Sequence, residues 1–148
     1  MLVLLHAATS LLHFAHNAAF LDGYPNMPAW ISPAGIYAVW FAEAAIGALG
    51  VLLLVRGRRA GLVLIAIYAV LGLGGLDHYT LAPVSAHTIA MNATIWLETA
   101  TAVALLTFVA WTFGASGSHH PARTDVAGRG RSIWRSRCGG GAVRDANS

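Results

Sequence analysis

Four apolar stretches, each near the ~20 residues that carry a helix across a bilayer, fill most of the first 113 positions of this chain. Backbone groups inside lipid find no water, so a spanning segment must satisfy its own hydrogen bonds, as a helix does. The stretches cover about residues 1–20, 33–55, 60–78 and 85–113. They predict an all-α fold, a four-helix transmembrane bundle. Charged residues make up only 10% of the chain, where a soluble domain carries about 25%.

Punctuation supports the division. Ser32-Pro33 reads as a helix cap followed by a first-turn proline. Pro25, Pro28 and Pro83 stop helices in the two connections that lack arginine. Tyr24, Trp30 and Tyr79 stand where interfacial aromatic belts form. All nine basic residues are arginine. Three fall at Arg56, Arg58 and Arg59, and the other six lie in the last 26 residues. By the positive-inside rule the 56–59 loop and both termini are cytoplasmic, in a multi-pass protein of the cell membrane. The basic tail marks that side of the membrane, and no nucleic-acid partner is expected. The transmembrane domain is residues 1–114. Residues 115–148, rich in Gly, Ser and Arg, read as a disordered basic cytoplasmic tail. The N-terminus lacks the basic start of a secretory signal, so it reads as a retained helix.

Four carboxylates occur in the apolar part, and they match in pairs. Asp22 and Glu43 are 21 residues apart, as are Asp77 and Glu98. Leu21, Asp22, Tyr24 and Pro28 correspond to Leu76, Asp77, Tyr79 and Pro83 at a constant offset of 55. Two tandem helical hairpins in parallel orientation follow, repeat 1 over about 1–55 and repeat 2 over about 56–113. Glu43 and Glu98 then reach mid-membrane depth. The histidines are not duplicated: His13, His78 and His87 correspond to Tyr68, Gly23 and Ser32.

Polar residues gather on particular helical faces. In the first segment His6, Thr9, Ser10, His13, His16 and Asn17 share an arc of about 120°. In the fourth, His87, Met91, Thr94, Glu98 and Thr101 follow helical spacing in one stripe. Gly47 and Gly50 follow Glu43 on nearly one face, which permits close helix packing. His6 is expected to make a helix–helix hydrogen bond, and Asn92 to point away from the stripe.

Carboxylates and imidazoles inside lipid are costly and rarely idle. A metal site is therefore expected in the outer half of the bundle, drawn from His13, His16, Asp77, His78, His87, Glu43 and Glu98. Mixed imidazole and carboxylate donors suit a transition metal: Zn, Fe, Cu or Mn. Haem fits less well, because four short helices offer its wide apolar slot only in a dimer. The single Cys138 excludes dithiol chemistry within the chain, and no nucleophile has the support of a triad. Two other readings stand beside the metal site. One is a proton- or ion-coupled small transporter working as a homodimer. The other is a non-catalytic membrane subunit or scaffold.

Overall fold

A computed structural model describes residues 1–117, and among them the chain is wholly helical. Helix α1 is Leu2–Ala19, α2 is Pro33–Val55, α3 is Ala60–Leu71, α4 is the single turn His78–Leu81, and α5 is Ile89–Gly117. Short 3₁₀ turns occupy Leu21–Gly23, Gly74–Asp77 and Val84–Ala86. The first three residues assigned to the tail, 115–117, continue α5. The rest of the expected disordered tail lies outside the described residues.

The caps follow local chemistry. Ser32 is extended, and its Oγ accepts from the Gly35 amide at 3.2 Å, with Pro33 in the first turn of α2. Gly57 adopts φ +73° just beyond α2, the left-handed conformation that glycine takes without a Cβ penalty. The fourth helix begins at Ile89 instead of near 85, because Ala82, Pro83 and His87 are extended on either side of the short Val84–Ala86 turn. His87 is thus extended, one residue before the cap of α5, and not on its first turn. The third segment also differs from one helix over 60–78. It stops at Leu71, passes through Gly72, Gly74 and Gly75, and resumes as α4. Side chains from neighbouring helices press against that glycine stretch, as the site geometry shows.

Helix α1 packs against α2 and α5, and α3 packs against the same two. The four rods therefore close a square, with α1 opposite α3 and α2 opposite α5. Along α2 and α3 the contact is set by glycine. A Cβ on Gly47 would meet the Tyr68 ring at 2.6 Å, and one on Gly50 would meet Ile65 at 2.8 Å. The close-packing role expected of these two glycines is met.

The core is divided along the bundle. Toward the Arg56–Arg59 end it is apolar: Leu62, Ile65, Tyr68, Ala69, Leu105 and Val109. Toward the opposite end it is polar. The buried residues of α1 are His6, Thr9, Ser10, His13 and Asn17, whereas Leu4, Leu5, Leu11, Leu12 and Phe20 are exposed. A helix with polar residues inside and leucines outside contradicts packing in water and suits a lipid surround. Among the described residues three segments are long and apolar enough to cross a membrane: Pro33–Val55, Ala60–Leu81 and Ile89–Ala115. Their outward faces carry Phe41, Leu49, Val63, Trp96, Val103 and Trp111, all exposed.

Candidate functional site

The polar half of the core is built by α1, α5 and the glycine-broken segment between α3 and α4. His13 and Asn17, four residues apart on α1, present adjacent turns of one face. Glu98 faces them from α5, fully buried, with its Oε2 3.8 Å from His13 Nε2. That separation is an electrostatic contact and too long for a hydrogen bond. Among the described residues neither Glu98 oxygen meets a hydrogen-bond partner at good geometry, and the Ser10 hydroxyl is the side chain placed to donate to it. His78, opening α4, completes the group.

Glycine makes room for this arrangement. A Cβ on Gly75 would sit 3.2 Å from Glu98 Oε2 and 3.6 Å from His13 Nε2. A Cβ on Gly72 would collide with the imidazole of His6. Backbone thus lies where side chains would stand on an ordinary helix, and α3 ends there.

Asn17 is the hinge of the hydrogen-bond pattern. Its Nδ2 lies 3.1 Å from His13 Nε2 and 3.1 Å from His78 Nε2. An amide NH₂ has two hydrogens and no acceptor capacity, so each imidazole accepts one of them. Both Nε2 atoms therefore carry lone pairs, and both lone pairs aim at one point. The Asn17 Oδ1 is buried without a partner.

Toward the outer face the rings continue. His78 lies against Tyr24 (centroids 4.9 Å apart), His13 (5.5 Å) and His87 (6.1 Å). His87 Nδ1 lies 3.1 Å from the Pro83 carbonyl and donates to it, which leaves Nε2 a free acceptor, buried and unpartnered. Tyr24 is buried, and its hydroxyl meets His16 Nδ1 at 2.8 Å. Burial pushes the Tyr24 phenol up to about 12, because the phenolate would lose its hydration. Toward the arginine end, His6 Nδ1 meets Thr101 Oγ1 at 3.0 Å, and Thr9 Oγ1 meets the same atom at 2.7 Å. His6 makes the interhelical hydrogen bond expected of it.

Of the seven residues singled out from sequence, His13, His78 and Glu98 come together, with His87 next to His78. Glu43 is half-buried and lines a separate cavity of about 420 Å³ between α1, α2 and the Gly74–Asp77 turn, shared with His13, Asn17 and His78. His16 turns to Tyr24 and Phe20. Asp77 is exposed on its 3₁₀ turn. Asn92 indeed leaves the stripe: it accepts from the Tyr79 hydroxyl at 2.8 Å and donates to the Val84 and His87 carbonyls. This clasp fixes the loop that carries His87.

Two participants were missed as site residues. Asn17 was placed on the polar arc but not in the ligand set, although its spacing of four from His13 was a usable signal. Tyr24 stood out as a repeat position and an interfacial aromatic, not as a site residue. Among the described residues no group of three or more His, Cys, Asp or Glu side chains is spaced to hold a metal ion in the observed rotamers. Comparison with protein families, curated proteins and solved structures finds no match to this chain.

Proposed function

We propose that the chain is a four-span integral membrane protein whose polar core binds a transition-metal ion through His13 and His78, with Glu98 balancing its charge. The observation that carries this is the convergence of two Nε2 lone pairs on the Asn17 amide nitrogen, 3.1 Å from each. Imidazole nitrogens bind zinc-like ions at about 2.0–2.1 Å. Both rings must therefore close by about 1 Å as the Asn17 NH₂ withdraws. A half-turn of the Asn17 amide exchanges Nδ2 for Oδ1 and turns a donor into a third neutral ligand. Glu98, fully buried with only the Ser10 hydroxyl placed to donate to it, is a carboxylate of the kind that needs a cation or a proton beside it. His87 Nε2 is a further free acceptor one ring away.

Helix α1 is the fourth span in this reading, its histidines turned inward and its leucines outward. The square order of the helices supports the duplicated hairpin, since a two-fold axis between hairpins puts α1 opposite α3 and α2 opposite α5. With both termini cytoplasmic, the site opens toward the outer face.

A second reading is favoured by one observation. The polar column does not stop at Glu98 but continues through Thr101, Thr9 and His6. Such a file suits proton transfer between His13 and Glu98 in an ion-coupled carrier. Titration of lipid-embedded protein with Zn²⁺ and Cu²⁺ separates the two. The metal reading requires about one ion per chain, with affinity falling at least about tenfold in His13→Ala and in His78→Ala. Proton flux through vesicles, abolished by Glu98→Gln with no stoichiometric metal, would instead establish the carrier.

A further inference from the structure

The cavity beside the polar core has a chemistry that the metal site does not use. Its walls are apolar and aromatic, including Phe14, Trp30, Ile36 and Val39. Its volume of about 420 Å³ falls within the ~300–1,000 Å³ of small-molecule sites. Glu43 stands among these walls, half-buried, and makes no hydrogen bond among the described residues; its Oε2 is sealed and unpartnered. The surrounding charge is one-sided. Asp22, Asp77, Glu43 and Glu98 all lie in this half of the bundle, while every described arginine lies at 56–59 at the opposite end. A carboxylate against aromatic walls, with no guanidinium or ammonium nearby, is an environment for an organic cation. The carboxylate supplies opposite charge for the head, and Phe14, Ile36, Val39 and Trp30 supply apolar surface for the body.

We infer that this cavity binds a lipophilic organic cation, an amine or quaternary ammonium with an apolar body, whose charge rests on Glu43. The site shares His13, Asn17 and His78 with the core as lining, but the anchor for the cation is Glu43, outside the proposed metal ligands. Size favours one slender molecule: an ammonium head at Glu43 and an aryl or alkyl body along Ile36 and Val39 toward Trp30.

The test uses the full chain in lipid nanodiscs and two probes of equal shape, (4-phenylbutyl)trimethylammonium and its uncharged carbon isostere with a tert-butyl head. Calorimetry should show saturable binding of the cation and only lipid partitioning of the isostere. Glu43→Gln should weaken the cation at least about tenfold, since the neutral amide loses the charge attraction but keeps the volume. Val39→Trp, at a wall position already 52% exposed, should block the cavity. Equal binding of the two probes by the unmodified protein, or a Glu43→Gln variant that binds the cation unchanged, would overturn the inference. The two-probe comparison needs no variant, so misfolding of either one cannot shield it. Cation binding that persists in chelator-treated protein, with no metal bound, separates this site from the metal site.

Discussion

Replacing Gly72 by alanine isolates the packing that forces the third segment to break. The backbone there is ordinary, φ −65° and ψ −5°, so an alanine fits without strain. On its own it would stabilise by about 0.4–1 kcal/mol through the unfolded chain. The new methyl, however, occupies the place of the His6 Cε1 and Nε2 atoms. His6 cannot simply swing aside: it is fully buried, 4.8 Å from the Tyr68 ring and hydrogen-bonded to Thr101. Overpacking costs about 1–3 kcal/mol, and the displaced imidazole loses a buried hydrogen bond worth about 1 kcal/mol or more. The net expectation is a loss of about 2–3 kcal/mol. The companion His6→Ala leaves a void and costs a similar amount. The double variant places the methyl inside that void, so it should be no worse than His6→Ala, with a coupling of at least about 1 kcal/mol. Gly74→Ala is the control. Nothing lies within 4 Å of its added Cβ, and it should match or slightly exceed the parent. Reversible unfolding in mixed micelles by SDS titration reads all four. Strictly additive losses, or a Gly74→Ala protein as damaged as Gly72→Ala, would refute the claim that imidazole contact empties position 72.

Ser32→Ala should cost about 1 kcal/mol in the same unfolding assay by removing the cap on the Gly35 amide; no loss would mean the α2 start is held otherwise. The Tyr24 phenol is raised in the folded state to about 12, against about 10 unfolded. Its contribution to stability is therefore complete below pH ~10 and lost as pH rises toward ~12. Absorbance near 295 nm should show late tyrosine titration whose amplitude falls by one tyrosine in Tyr24→Phe, and that variant should be less sensitive to pH in this window. His16→Ala, which removes the partner of Tyr24 and no proposed ligand, should leave metal affinity within about twofold while costing about 1 kcal/mol of stability.

Helix number, the start of α2 and the inward polar arc of α1 were legible because each rests on local chemistry. Leucines repeating opposite histidines leave one rotational setting for α1 in lipid, and Ser32-Pro33 fixes the start of α2 to the residue. The break after Leu71 was not legible. Gly72, Gly74 and Gly75 announce weakness in a helix, but whether it breaks depends on what approaches from outside. Here that is His6 from α1, and His13 with Glu98 farther along. His87 was misplaced onto a helix for a related reason: its spacing from Met91 and Glu98 is helical, yet the turn after Pro83 delays α5 to Ile89. The site was readable as a set of residue types and only partly as a constellation. Sequence periodicity puts His13, His16 and Asn17 on one side of α1. It does not reveal that His16 bonds to Tyr24 while Asn17 reaches across to His78. Those choices depend on the height of α4 beside α1, which the glycine break sets. Glu43 shows the same limit. Depth placed it level with Glu98, but the angle of α2 turns it toward the lateral cavity.

The most direct test of the polar core as a metal site is pulsed electron paramagnetic resonance on the lipid-embedded protein loaded with one equivalent of Cu²⁺. Two coupled imidazole nitrogens per ion, falling to one in His13→Ala and in His78→Ala, are what the converging Nε2 atoms predict. A Cu²⁺ spectrum with no imidazole coupling, or one unchanged in both variants, would contradict it.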